Sequence, residues 1–346
     1  MRAPPVLDHL AVLTDDTGVV QHATYDVPNR STGYCTDDVA RGFIVACTAA
    51  RHDELRAQAL RLGSTYLSFL HDAQLPDGAF HNFMAHDRTW LDDAGSEDSW
   101  GRAVWALGFG ARRAPRDGWR ALCATMVERS LAAVALLEHP RAQAFAALGL
   151  AHALSAGVAP ERVRALLRRI GDEFVALNEA ARGPGWDWFE DALTYDNARL
   201  SEAALRIGMA LGDQRMLDLG SRTLAFYESV VFEGGIFVPI GNDGWHRRGR
   251  ERARFDQQPL EAAALVDAEL AAYEARGDES RYAAAERAFA WFEGANSLGV
   301  SLVEGGGCGD GLSQEGPSGN RGAESTLAYL SAALALAEAR RPLTAK

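Results

Sequence analysis

No apolar run in this 346-residue chain approaches the roughly 20 residues that a membrane-spanning helix requires. The opening Met1-Arg2-Ala3-Pro4-Pro5 leads into a mixed segment that lacks the apolar centre of a signal peptide. Cysteine is scarce. Cys35, Cys47, Cys123 and Cys308 show no paired spacing, which argues against a disulfide framework and for a cytoplasmic protein. Cys35 and Cys308, even with His22 and His81, are too scattered for a zinc pattern, so neither metal nor cofactor is expected. Basic residues are outnumbered: 35 Lys and Arg face 47 Asp and Glu, a net charge of −12. The run Arg247-Arg248-Gly249-Arg250 is too brief for a nucleic-acid stripe, so nucleic acid is excluded as a partner. Phosphate and nucleophile motifs are also missing. The glycine-rich stretch 305–311 fits no phosphate-binding pattern and reads as tight turns beneath a pocket. No Ser, Cys and His set forms a nucleophile elbow or triad.

What the chain has instead is a six-fold recurrence. An apolar helix opens each time on a polar, usually acidic, cluster: Thr36-Asp37-Asp38, Ser96-Glu97-Asp98-Ser99, His139-Pro140-Arg141, Thr194-Tyr195-Asp196-Asn197, Phe255-Asp256-Gln257-Gln258 and Asn320-Arg321-Gly322-Ala323-Glu324. The clusters stand roughly 45 to 65 residues apart, the length of two helices and two connections.

Helix patterns are of two kinds. Segments 98–110, 141–155, 196–211, 256–273 and 323–339 are Ala-rich and apolar nearly all round, which calls for burial on every side. Segments 53–70, 118–137, 160–178, 213–230 and 278–294 are amphipathic; in the third, Val163, Leu166, Leu167, Ile170, Phe174 and Val175 form one stripe. Eleven helices are counted from about residue 37, and a short one near 4–13 supplies a twelfth. The expectation is a single all-α domain over 1–346, an inner ring of six helices inside an outer ring of six. Gly235–Ile240 adds a small β-hairpin in a loop.

Connections from an inner to the next outer helix are short turns, such as Gly212-Asp213 and Gly277-Asp278. Those leading back inward are long: 72–96, 179–195, 231–255 and 297–321. Long loops and acidic helix starts therefore share one rim, where a pocket is expected. Aspartate at a helix start caps free N–H groups and meets the positive dipole end. Capping does not explain the doubled acids Asp37/Asp38 and Glu97/Asp98, or the Trp186–Asp191 stretch just before Tyr195. Aromatic rings beside carboxylates suit sugars, and opposed carboxylates around a sugar suit glycoside hydrolysis. The candidate catalytic set is Asp38, Asp98, Asp196 and Asp256. Asp37, His81, Glu190, Asp191, Tyr195, Asn197, Arg199, Gln257, Arg321 and Glu324 would bind hydroxyls, with Trp186 and Trp188 as a stacking wall. His152, mid-helix on an apolar segment, reads as a packed core residue.

The motifs GYCTDDVARG (33–42), DGAFHNFM (77–84), SEDSWGRAVWALG (96–108), WDWFEDALTYDNARL (186–200), FDQQPLEAAALVDA (255–268) and GCGDGLSQEG with NRGAESTLAYL (307–330) span nearly the whole chain. Together they resemble a bacterial family of (α/α)6 toroids that often carry the name "glycosyltransferase". Members occur alone or fused to glycosyltransferase family 4 domains, often beside β-mannoside phosphorylases or hydrolases. The resemblance implies a carbohydrate-active enzyme, in partnership with a glycosyltransferase or mannoside phosphorylase. This chain shows no Rossmann-like nucleotide-sugar domain of its own. Inverting glycosidases and N-acylglucosamine 2-epimerases share the toroid. The epimerases use a pair of catalytic histidines, and the rim histidines here (His22, His81, His86, His139 and His246) match no such motif. A hydrolase is the expected activity; a sugar epimerase or a non-catalytic carbohydrate-binding partner is the alternative.

Overall fold

The computed structural model describes residues 5–340. Six helices form an inner ring: α2 (Thr36–Ala49), α4 (Glu97–Arg113), α6 (Pro140–Ser155), α8 (Ala198–Leu211), α10 (Pro259–Arg276) and α12 (Ala323–Ala339). Each packs on the next, and α12 closes against α2. Outside them lie α1 (Asp8–Leu13), α3 (Arg56–Ala73), α5 (Asp117–Val134), α7 (Pro160–Ala181), α9 (Gln214–Val231) and α11 (Glu279–Ala290). The short α1 packs on α12 and so completes the outer ring. The architecture is an (α/α)6 toroid, as the alternation of helix types predicts, and all helix boundaries fall within a few residues of the expected ones.

The ring works because its inner helices are small-sided. At the crossing of α4 and α6, a methyl group added to Gly149 would collide with the Val104 carbonyl, and one added to Gly108 would collide with the Gly149 carbonyl. Six helices packed side by side leave a narrow axis, and Ala and Gly let neighbouring backbones approach. Outer helices bury one stripe each: in α7, Val163, Leu167, Ile170 and Phe174 are buried. Gly212 and Gly277 end α8 and α10 in the left-handed region (φ 67° and 68°), which a residue with a Cβ rarely adopts.

Every strand has two residues. β1 (Ala23–Thr24) pairs with β2 (Val27–Pro28), and β3 (Tyr34–Cys35) with β4 (Phe83–Met84). β5 (Ala192–Leu193) lies between these and the expected hairpin, formed by β6 (Phe232–Glu233) and β7 (Ile236–Phe237). β8 (His246–Arg247) pairs back to β5. β9 (Val303–Glu304) pairs with β10 (Gly307–Cys308), and β11 (Leu312–Ser313) with β12 (Gly316–Pro317). These ladders pin the long loops over one end of the ring. No helix among the described residues is long and apolar enough to cross a membrane.

Candidate active site

The six inner helices run parallel around the axis, so their N-termini converge at the looped end. The positive ends of six helix dipoles meet there, and carboxylates gather to match them. A cavity of about 300 Å³ opens at this end, the lower bound of ordinary ligand sites. Asp37 and Asp38 enter it from the start of α2, Asp98 from α4, Tyr195 from the loop before α8, Glu324 from α12 and Asp310 from the loop after β10.

One helical turn deeper sits a layer of arginines. Arg41 binds Asp38 at 2.9 Å and Glu324 at 2.8 Å, tying α2 to α12. Arg102 binds Asp196 at 2.7 Å and lies 3.5 Å from Asp37, with its guanidinium 3.8 Å over the Phe145 ring. Arg199 binds Glu202 at 2.6 Å and Asp267 at 2.8 Å, and rests 4.7 Å over Trp105. Between the arginines lies a small void of about 30 Å³, enough to admit a water. The site is thus an acidic mouth over a cationic floor.

This layering sets the charge state of each acid. Burial pushes Asp38 up, Arg41 pulls it down, and Glu324 and Asp37 push it up again, to about 6. Asp37 is raised by burial, against the pull of Arg102 and Arg41, with Asp98 and Glu324 adding repulsion. Burial would raise Asp196 too, but Arg102, Arg199 and Arg41 outweigh it and hold the carboxyl below its ordinary value. Asp310 is raised by burial and by Glu324. Beneath Asp196, the buried Glu261 accepts hydrogen bonds from the Asp196 and Asn197 amides and from the Tyr227 hydroxyl. Burial and the neighbouring Asp196 raise Glu261 to about 7.

Two acids differ in what they offer a ligand. Asp98 Oδ2 accepts a hydrogen bond from the Tyr195 hydroxyl at 2.6 Å. Tyr195 is itself fixed from behind: its ring lies 4.8 Å from the Arg141 guanidinium, and Arg141 is held at 2.7 Å by Glu190. The Asp37 side chain is 21% exposed, and its buried Oδ1 has no hydrogen-bond partner. Its Oδ2 is therefore the oxygen turned toward the cavity.

Of the residues singled out from sequence, Asp37, Asp38, Asp98, Tyr195 and Glu324 line the cavity, and Asp196 and Arg199 line the void beneath it. The others lie elsewhere. Asp256 is exposed on a left-handed backbone (φ 55°) and lines neither space. Trp186 and Trp188 are buried against Phe226 and Tyr227, so they build the core behind the rim and are not a stacking wall. Asn197 is committed to its neighbours: its Oδ1 accepts from the Thr194 amide and its Nδ2 donates to Glu261. Gln257 is buried and accepts from the Trp291 indole. Arg321 turns away to Glu304, and the Asp191 side chain is 84% exposed outside the cavity. His81 bonds Asp92 and stacks on Trp90. His152 is half-buried near the end of α6, 3.3 Å from Arg112, rather than packed in the core.

Arg41, Arg102 and Asp310 were not anticipated. For the arginines a signal exists: three of the inner helices carry an Arg three or four residues after a helix-start acid, in Asp38/Arg41, Asp98/Arg102 and Asp196/Arg199. That spacing stacks acid over base along one helix face. Gly305 and Gly306 do form the tight turn of the β9–β10 hairpin, with positive φ at both, but Asp310 beyond them reaches the cavity. Among the described residues no group of three His, Cys, Asp or Glu side chains is arranged to hold a metal ion.

No protein-family model matches the chain, and no curated protein matches it. Solved structures do match. The cellobiose 2-epimerase from Bacillus thermoamylovorans B4167 superposes with a TM-score of 0.75 and 14% identity, over 98% of this chain and 96% of that one. A D-mannose isomerase gives 0.71 and 12%, over 96% and 93%. The GH76 α-mannanase from Bacteroides thetaiotaomicron gives 0.65 and 11%, over 95% and 93%. What all four chains share is the (α/α)6 toroid. At such identities the likeness concerns the fold.

Proposed function

We propose that the protein is a carbohydrate-active enzyme, a glycoside hydrolase that cleaves a small manno- or gluco-oligosaccharide. The observation that carries this reading is the pairing, in one cavity, of a raised carboxyl with a cavity-facing oxygen (Asp37) and a carboxylate oriented by a phenol (Asp98). Separate environments for two carboxyls are what acid–base glycoside hydrolysis requires. In this reading Asp37 Oδ2 gives its proton to the glycosidic oxygen as the C1–O bond breaks. Asp98 takes a proton from a water whose oxygen attacks C1, the inverting course. Asp38 sits beside Asp37, and its own carboxyl is raised to about 6. Arg41 and Arg102 fix the two acids, and Asp196, kept ionised, anchors Arg102. Asp256 takes no part.

A second reading, a sugar epimerase or isomerase in the same cavity, is favoured by the epimerase and isomerase superpositions. It places a base next to a sugar carbon rather than across a glycosidic bond. His22 is the histidine that lines the cavity, and it is exposed.

A proton NMR time course with manno- and gluco-disaccharides and their free monosaccharides separates the two. The hydrolase gives new reducing-end signals, one anomer first, and loses them in both D37N and D98N with folding intact. Conversion of a free sugar without bond cleavage would replace the hydrolase with the epimerase. Full turnover by D37N or D98N would remove the assigned roles.

A further inference from the structure

Among the described residues, the aromatic side chains that line the cavity are Tyr195 and Phe83, and neither is a tryptophan. Tyr195 is held by Asp98, whereas Phe83, on β4, has a relative exposure of 44%. An exposed phenylalanine forgoes the burial that stabilises its kind in the core, and several features hold this one in place. β4 pairs with β3, which sets Phe83 directly across from Cys35, the residue that caps α2 two positions before Asp37. The Thr36 amide and hydroxyl bond the Asn82 and His81 carbonyls at 2.8 and 2.6 Å. Asp92 accepts from the Phe83 amide at 2.7 Å and from Asn82 as well. The backbone under the ring is therefore fixed, as a docking surface requires.

The chain then turns back alongside. The Leu91 amide donates to the Phe83 carbonyl at 2.8 Å, so Leu91 is the cross-strand neighbour of Phe83. Strand alternation sends Trp90 inward, edge-on to Phe69 at 5.3 Å, and leaves Leu91 66% exposed. Two large apolar side chains thus stand side by side on a pinned hairpin, one lining the cavity and the other outside it. Phe83 therefore offers an apolar face at the mouth of the cavity.

We propose that Phe83 and Leu91 form an apolar shelf that carries a second sugar ring, outside the ring held by the carboxylates. The ligand class is an oligosaccharide or a glycoside with an apolar ring face, not a lone monosaccharide. This rests on the reading of the cavity as a carbohydrate site. Sugar rings present an apolar face that stacks on an aromatic plane, while their hydroxyls stay in water or reach Asp37 and Asp98. The shelf begins beside the α2 cap, so the bond between the two rings falls next to Asp37.

The test uses full-length D37N protein, so that bound sugar is not consumed, and calorimetric titration with cellobiose, β-1,4-mannobiose, glucose and mannose. F83A in this background is expected to weaken the tighter disaccharide about tenfold and change the matching monosaccharide less than twofold. F83W keeps disaccharide binding, and L91A weakens it two- to threefold. Because Phe83 is already half exposed and its amide contact to Asp92 is made by backbone, F83A should melt within a few degrees of its parent. Equal losses for mono- and disaccharide, or none for either, would overturn the shelf while leaving the carbohydrate reading in place. If the parent binds none of the four sugars, the carbohydrate reading fails and takes the shelf with it.

Discussion

Replacing Arg102 with methionine isolates what the arginine layer does. Arg102 is buried, and it spans three inner helices through Asp196 at 2.7 Å, Asp37 at 3.5 Å and the Phe145 ring of α6. Methionine keeps most of the volume and the contact with Phe145 but leaves Asp196 a buried carboxylate with less compensation. Breaking a buried pair costs about 3–5 kcal/mol. The low end is expected here, about 3 kcal/mol, because Arg199 still stands 3.5 Å from Asp196. The loss should depend on pH in a definite direction. In the native protein Asp196 titrates below its ordinary value, so its contribution is present above the unfolded pKa and is lost as pH falls through the lowered folded one. In R102M, burial dominates and the Asp196 carboxyl rises. Ionising it in the folded state then costs free energy, so the deficit grows as pH climbs. Urea unfolding of both proteins near pH 5 and about pH 7.5 checks this, with the larger deficit expected at the higher pH. A loss under about 1 kcal/mol, or one equal at both pH values, would refute the idea that Arg102 neutralises a buried acid.

Asp38→Asn should move the alkaline limb of kcat/KM to lower pH: Asp37 pushes the Asp38 carboxyl up, the repulsion is mutual, and removing the Asp38 charge lets Asp37 lose its proton sooner. A pH–rate profile unchanged by D38N would count against mutual repulsion of the two carboxyls. Two glycine substitutions should act in opposite directions on the melting temperature. Gly149→Ala drives a methyl into the Val104 carbonyl and should destabilise by about 1–3 kcal/mol. Gly118→Ala in α5 meets open space and should stabilise by up to about 1 kcal/mol. Melting curves of the two variants that shift in the same direction would show that the inner crossing is not as tight as described.

The sequence alone settled the architecture. Two helix types alternate, six clusters recur, and long loops fall only on one side of the alternation; a closed double ring satisfies all three at once, because helices apolar all round need neighbours on every side. Local patterning also located the rim, since Asp37, Asp38, Asp98 and Asp196 open inner helices and dipole attraction acts within the first turn. It could not rank them. Asp196 and Asp256 read alike in sequence: each is a helix-start acid, and both adopt left-handed backbone. Yet Asp196 is clamped by Arg102 and Arg199, whereas Asp256 is exposed away from the cavity. The tryptophans near residue 187 looked like a sugar platform because composition reports a ring's presence and not its direction. Trp188 is fully buried against Tyr227, while the less conspicuous Phe83 meets the cavity. A carboxylate's charge state and a ring's exposure depend on side chains that arrive from distant helices, as Glu324 and Asp38 do on either side of Arg41. Periodicity along one chain decides which face of a helix is buried. Only closure of the ring decides which groups then face each other across its axis, and so which acid is held ionised and which keeps its proton.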